Sequence, residues 1–406
     1  MSATQQVLAT LDSTNAWQEQ LYKHLHENPE LSGQETETAA EITRRLTSFG
    51  YPVQQIGGGV VGVLENGPGA VVLFRADIDA LPVQEATGLP YASTATAVEA
   101  SGTTVPVMHA CGHDMHVAAG LGAAALLAEH TDAWSGTYIA LFQPAEETAA
   151  GAQSMVDDGL VDKVPRPDVA LGQHVVPGPA AGEVATVAGP MMSTSASVRV
   201  VVHGKGTHGS MPHLGVDPVV IAAAIVMRLQ TIVARELAPG RFGVVTVGSL
   251  HSGTKSNIIP ADVTLLINVR AYDNDVREHL IAAIERIVRA ECDAAAAPRP
   301  PEFTVYDGAP LTHNDEAATS TVTSAFIDHF GSERVKPLSP VTASEDFSII
   351  PDAFGIPYCY WVFGGFTPDQ EPLPNHHPGF APAIQPTLRT GTEAAVAAAL
   401  AYLTPR

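Results

Sequence analysis

The stretch PVMHACGHDMHVAAGLGAAALLAEH, residues 106–130, crowds Cys111, His113, Asp114 and His116 together and then becomes an almost purely apolar alanine-leucine helix. Reactive polar groups are used sparingly elsewhere, so their concentration directly before a helix calls for partners. Short β-branched runs precede it, VVGVLE (60–65) and AVVLFRADIDALP (70–82). TYIALFQPAEET (137–148), a helix to Asp158 and DVALGQHVV (168–176) follow. Apolar strands alternating with helices predict a mostly parallel, helix-covered α/β sheet.

Outward from this core, residues 10–49 carry a helical pattern that stops at Gly50. The composition changes near Gly189. STSASVRVVVHGKG (193–206) alternates as a strand and DPVVIAAAIVMRLQTIVAREL (217–237) reads as a long helix. The strands FGVVTVGSL (242–250) and DVTLLINVRAYD (262–273), the helix NDVREHLIAAIERIVRAEC (274–292) and the strand PEFTVYDG (301–308) complete the segment. Strand, helix, strand, strand, helix, strand is the ferredoxin-like order. The expected architecture is one discontinuous α/β domain, residues 1–190 and 306–406, carrying an inserted ferredoxin-like α+β domain at 191–305.

The 406 residues, 45% of them hydrophobic, suffice for a sizeable core. Against 21 basic residues stand 43 acidic ones, a net charge of -22 that repels nucleic acid and anionic membrane surfaces. No apolar run reaches the roughly 18 residues of a membrane span, and the first residues lack the order of a secretory signal. A cytoplasmic address is the expectation. Cys111, Cys292 and Cys359 are too few and too scattered for a disulfide framework, so any special cysteine acts as a thiolate.

RADID (75–79), QPAEET (143–148) and GQH (172–174) each follow or end an apolar strand, and NHHPGF (375–380) lies in a later loop. The carboxyl ends of strands face the ligand crevice of open α/β sheets, so these segments can converge. Cys111, His113, Glu146, Glu147, His174, His376 and His377 then offer sulfur, imidazole and carboxylate, a mixture suited to zinc or another first-row ion. Adjacent Glu146 and Glu147 leave the backbone in different directions, one free to ligate and the other to carry protons. GGGVVG (57–62) has a dinucleotide-like glycine spacing but opens a turn and a strand rather than a helix. HGKGTHGS (203–210) lacks phosphate-loop spacing. Two other readings compete: Cys111 as a nucleophile with His113 or His116 as base, and a binding protein with a closed structural ion site.

MHACGHDMH (108–116), LFQPAEET (141–148), GKGTHGSMPHLGVDP (204–218), SNIIPADVTL (256–265), SEDFS (344–348) and NHHPGF, in this order, resemble the aminoacylase and hippurate-hydrolase branch of the dinuclear metallopeptidases. That group includes carboxypeptidase G and plant auxin-conjugate amidohydrolases. The resemblance runs from about Tyr22 to Leu400. It implies a catalytic α/β domain with a lid that also forms a homodimer, and a metal-dependent amidohydrolase acting on small N-acyl amino acids. A carboxypeptidase or dipeptidase is the alternative. It further implies two divalent ions, zinc first, with manganese, cobalt or nickel possible, held by Cys111, His113, Glu147, His174 and His376. The motif selects His376 over His377. Glu146 becomes the general base and Asp79 the carboxylate behind a ligating imidazole. His208 polarises the scissile carbonyl in its own or the partner's site, while Asn257 and Arg270 hold the substrate carboxylate. SEDF (344–347) and YCYWVFGGF (358–366) are expected to wall an acyl pocket.

Overall fold

The computed structural model describes residues 2–403. In chain order come helices α1 (Leu11–Glu27) and α2 (Thr36–Ser48), strands β1 (Val53–Ile56), β2 (Gly59–Asn66) and β3 (Val71–Asp77), helix α3 (His113–Glu129), and strands β4 (Gly136–Gln143), β5 (Val169–Ala180) and β6 (Val184–Thr186). Strand β7 (Thr194–His203), α4 (Pro218–Arg235), β8 (Gly243–His251), β9 (Asp262–Ala271), α5 (Asn274–Ala294) and β10 (Glu302–Ala309) follow. The chain ends with α6 (Glu316–Phe330), β11 (Val335–Pro337), β12 (Tyr358–Phe366) and α7 (Ile384–Leu403). Two compact units result. One contains the chain up to Gly189, His313–Ser339 and the part from Asp346 onward; the other contains Pro190–Thr312 and Pro340–Glu345.

The first unit is built on an eight-stranded sheet of order β1-β2-β4-β3-β5-β12-β6-β11. Its centre, β4-β3-β5-β12, is parallel, and β1 and β2 add an antiparallel flank. Burial on both faces explains why β3 and β12 read as continuous apolar runs rather than alternating ones. Trp361 of β12 packs against Phe74 and Phe326. All nine residues of β12 are buried, so YCYWVFGGF is a core strand and not the pocket wall expected from its aromatic content. The helix-covered α/β sheet is otherwise as expected.

In the second unit the strands run antiparallel in the order β8-β9-β7-β10. Combined with the chain order, this is the ferredoxin-like fold. Strand β9 alternates, burying Val263, Leu265, Ile267, Val269 and Ala271 against one face of α4 and α5. Asp217, followed by Pro218, caps α4, and Asp273 caps α5 by accepting from the amides of Asp275 and Val276.

Helix α4 has 18 residues and is apolar enough to cross a membrane by length and composition alone. Here Ile221, Ile225, Leu229 and Ile232 pack into the core of the four-stranded sheet.

Candidate metal centre

The carboxyl ends of β3 and β4, the middle of β5 and the start of α3 bring the polar segments together. Gly112 makes the turn into α3 at φ 84°, and a Cβ there would lie 2.3 Å from a Val175 methyl, so only glycine allows Cys111 and His113 to flank this close approach. The donor atoms of Cys111, His113 and His174 lie within 4.8 Å of one another, as do those of Cys111, Glu147 and His376 and those of His113, Glu146 and Glu147. Cys111 Sγ is 3.5 Å from His174 Nε2. The two oxygens of Glu147 face different imidazoles, Oε1 at 3.8 Å from His113 Nε2 and Oε2 at 3.4 Å from His376 Nε2.

The hydrogen bonds leave the donors facing inward. His113 Nδ1 lies 3.1 Å from Asp79 Oδ1, which fixes the ring and turns Nε2 toward the cluster. His174 Nδ1 donates to the Val175 carbonyl at 2.7 Å, which frees Nε2. Burial first, and then neighbouring His116, hold His174 well below the usual histidine range, in the neutral form that a ligand requires. Two buried atoms, His113 Nε2 and Glu147 Oε1, have no hydrogen-bond partner. Orphaned buried polar atoms are costly, and a cation between them resolves the cost. The donor set therefore fits a divalent metal.

The same geometry argues against a cysteine nucleophile. Burial, reinforced by the Glu147, Glu146 and Asp77 carboxylates, pushes the Cys111 thiol well up, so without a cation the thiolate is disfavoured. His116 is unavailable as its base: Nδ1 meets Asp77 Oδ1 at 2.5 Å, and Nε2 accepts from the Val175 amide at 2.8 Å. Burial would lower His113, but the Asp77, Asp79 and Glu147 carboxylates outweigh it and raise the pKa to about 10. A base needs a free lone pair near neutrality.

His376 belongs to the cluster, whereas the Nδ1 of His377 accepts from the Gly379 amide. The backbone here is strained. Ala145 (φ 49°), Ala149 (φ 51°) and His376 (φ 70°) adopt left-handed conformations that cost a non-glycine residue about 1–2 kcal/mol each. All three lie in the two loops that carry Glu146, Glu147 and His376.

Two contributors lie in motifs the sequence picked out but carried no signal as individual residues. Asn375 Nδ2 donates to the Cys111 and Val175 carbonyls, both at 3.2 Å, and lies 3.8 Å from Cys111 Sγ. Arg75, fully buried, donates to Asp77 at 2.6 Å, Gln143 at 2.9 Å and Asp346 at 3.3 Å, anchoring the carboxylate that holds His116. Asn375 at least adjoins the histidine pair, and Arg75 is an unusual charge inside an apolar strand.

The remaining predicted residues belong to the second unit. His208 lies on the short strand Thr207–His208, paired with Ile258, and its Nδ1 is 2.7 Å from Ser210 Oγ. Asn257 immediately precedes that partner strand, so the two exposed side chains belong to neighbouring segments. Arg270 of β9 donates to the Thr342 carbonyl at 2.6 Å and lies 3.1 Å from Ser344 Oγ.

A sulfur, nitrogen and oxygen cluster at the carboxyl edge of a parallel sheet, with a carboxylate pair beside it, defines a metal-dependent hydrolase. Residues 73–401 match peptidase family M20/M25/M40, and the chain belongs to that family, among its amidohydrolases. It is 37% identical over 369 residues to the N-acetyl-L-cysteine deacetylase of Bacillus subtilis, covering 88% of this chain and 82% of that one. It is 37% identical over 335 residues to the hippurate hydrolase of Campylobacter jejuni, covering 81% and 83%. The crystal structure of the Bacillus subtilis YXEP protein, a dinuclear metal-binding peptidase of the M20 family, superposes with a TM-score of 0.80 at 27% identity, covering 96% and 99%.

Proposed function

We propose that this protein hydrolyses the amide bond of N-acyl amino acids, releasing a carboxylic acid and a free amino acid. The carrying observation is the pair of orphaned donors, His113 Nε2 and Glu147 Oε1, within a cluster that also offers Cys111, His174 and His376. These five residues would hold two divalent ions, zinc first, with manganese, cobalt or nickel as substitutes. When bound, such ions acidify water and polarise a carbonyl.

Glu146, whose Oε2 is 4.0 Å from His113 Nε2, takes the proton of the attacking water and passes it to the leaving amine. Asp79 fixes the ring of His113. His208 donates to the oxyanion that develops on the amide carbonyl. Arg270 and Asn257 receive the substrate carboxylate, for which a guanidinium is the geometric match in a chain whose net charge repels anions. The second unit, residues 191–305 in its sequence-based bounds, serves as lid and homodimer contact. Its support is the outer side of α4, where Val219, Val220, Met227 and Val233 are exposed. A reducing, cytoplasmic compartment suits a thiolate ligand.

The test is a panel of acetyl, benzoyl and aliphatic acyl amino acids beside dipeptides, run on metal-reconstituted enzyme. Glu146→Gln is expected to keep its metal while kcat falls by about 10²–10⁴. Cys111→Ala is expected to lose metal as well, read by elemental analysis. A Glu146→Gln variant near the wild-type rate overturns the proton-carrier role, and turnover of dipeptides alone turns the assignment to a dipeptidase.

A further inference from the structure

The turn that carries Glu146 is held from outside the metal cluster. The amides on either side of Glu146 each donate to a buried carboxylate. Ala145 N–H donates to Glu35 Oε1 at 2.7 Å, and Glu147 N–H to Asp79 Oδ2 at 3.0 Å. Asp79 Oδ2 also accepts from Ser32 Oγ at 2.6 Å. Glu35 is 7% exposed and Asp79 1%. Both Ser32 and Glu35 come from one short segment between α1 and α2. That segment is pinned where the Glu30 carbonyl accepts from the Ala80 amide at 2.8 Å and the Glu30 carboxylate accepts from the Glu37 and Thr38 amides.

The turn itself cannot relax easily. Ala145 and Ala149 are left-handed, and the Ala145 carbonyl accepts from the amides of Ala150 and Gly151. A Cβ on Gly151 would lie 1.5 Å from the Pro144 carbonyl oxygen, so the turn packs against a position that admits no side chain. A residue held at positive φ without glycine needs an outside restraint, since its own preference is elsewhere. For the Ala145 amide that restraint is the Glu35 carboxylate.

We propose that Glu35, with Ser32 acting through Asp79, is a positioning residue that holds the backbone on both sides of Glu146 and so aims its carboxylate. The proposal rests on the proton-carrier role of Glu146 argued above. Glu35 takes no part in binding metal, so losing it should separate aim from occupancy.

The experiment compares metal-loaded wild type with Glu35→Ala, Glu35→Gln, Glu35→Ala/Ala145→Gly and Glu146→Gln, using whichever N-acyl amino acid the wild type turns over. It reads kcat, KM, metal per chain, and hydrogen exchange at the Ala145 and Glu147 amides. Glu35→Ala is expected to lower kcat roughly 100-fold, as misplacement of a catalytic group by about 1 Å does, with KM and metal content unchanged and the Ala145 amide exchanging faster. Glu35→Gln still offers an oxygen to that amide and is expected to stay within about threefold of wild type. Glycine adopts positive φ unaided, so Ala145→Gly in the Glu35→Ala background is expected to recover about tenfold.

A Glu35→Ala enzyme within about twofold of wild type, a loss of metal in step with activity, or no recovery from Ala145→Gly each overturns the proposal. If Glu35→Ala does not fold, Ser32→Ala decides. Faster exchange at the Glu147 amide with a lowered kcat supports the brace, and an unchanged kcat overturns it. An inactive Glu146→Gln beside a fully active Glu35→Ala removes the brace alone, whereas an active Glu146→Gln removes the function it serves.

Discussion

Helices α3 and α4 have almost the same length and similar apolar composition, yet 14 of the 17 residues of α3 are buried against 6 of the 18 in α4. Helix α3 lies between the central strands β3 and β5 on one side and α1 and α7 on the other. Within its own unit, α4 has β8, β9 and α5 on its inner side only, and Val220 and Met227 remain 65% and 73% exposed on the other. An apolar helix states how much surface wants covering but does not name the cover. In α3 the cover is the rest of the domain. In that buried setting the polar groups of its first turn are fixed by inner partners, His113 Nδ1 by Asp79, His116 by Asp77 and Asp114 by His26, and His113 Nε2 is left facing the candidate metal cluster.

The largest effect is expected where α3 begins. Asp114 in its first turn is buried and meets His26 Nδ1 at 2.7 Å, while His26 Nε2 meets Glu85 at 3.1 Å. Burial alone would lower the imidazole. The hydrogen bonds to Asp114 and Glu85 outweigh burial and raise its pKa from 6.5 to about 10. Removing the cation strands two buried carboxylates, so His26→Ala is expected to cost about 3–5 kcal/mol in denaturant unfolding. Because the folded pKa is raised, the charge contributes fully below about pH 6.5 and is lost as pH climbs toward about 10. On the acid side, Asp114 and Glu85, both lowered, lose their share as they protonate. The gap in Tm between wild type and His26→Gln should therefore be widest near pH 6 and shrink at alkaline pH. A pH-independent gap would mean that His26 contributes packing rather than charge.

Next comes the body of the helix. Leu121 of α3 is fully buried, and Leu121→Ala is expected to cost about 2–5 kcal/mol, the transfer term plus a cavity that neighbouring elements cannot fill. Met227→Ala in α4 should cost under about 0.5 kcal/mol in a single dissociated chain, since Met227 is 73% exposed there and little packing within its own unit is lost. Equal costs would break the contrast at its root.

The same contrast explains what the sequence made legible. The alternation of apolar strands with helices, and the strand order of the insert, follow from periodicity. Residue type alone offered seven candidate ligands, Cys111, His113, Glu146, Glu147, His174, His376 and His377. The resemblance of their motifs to a family narrowed them to Cys111, His113, Glu147, His174 and His376, whose donor atoms do fall into overlapping groups. Glu35 and Asn375 were not recognisable, because their partners are backbone groups 110 and 264 positions away, and a backbone amide leaves no mark in the residue alphabet. The aromatic run of β12 was misread for the opposite reason. A strand buried on both faces and the wall of an apolar pocket need the same residues, and only the sheet order, with β5 on one side and β6 on the other, separates them.

The smallest effect on stability should carry the clearest effect on assembly. If a second copy of this chain covers the outer side of α4, the unmatched apolar surface there is the missing half of the comparison, and α4 becomes as enclosed as α3 once paired. Edge strand β8, with Leu250 42% exposed, extends the same unit's unsatisfied surface with free backbone hydrogen-bonding groups. A stable homodimer needs about 800 Å² from each partner, which a helix face together with an edge strand can supply. Sedimentation of the wild type is then expected to give a dimer. Val220→Glu/Met227→Glu is expected to give a monomer, because two carboxylates buried without partners at a symmetric contact cost more than the contact returns. Unfolding of that monomer should change by under about 0.5 kcal/mol per site, since neither side chain is packed within its own unit. A wild type that sediments as a monomer at every concentration would leave the exposed face of α4 as an ordinary feature of a lone helix on a sheet.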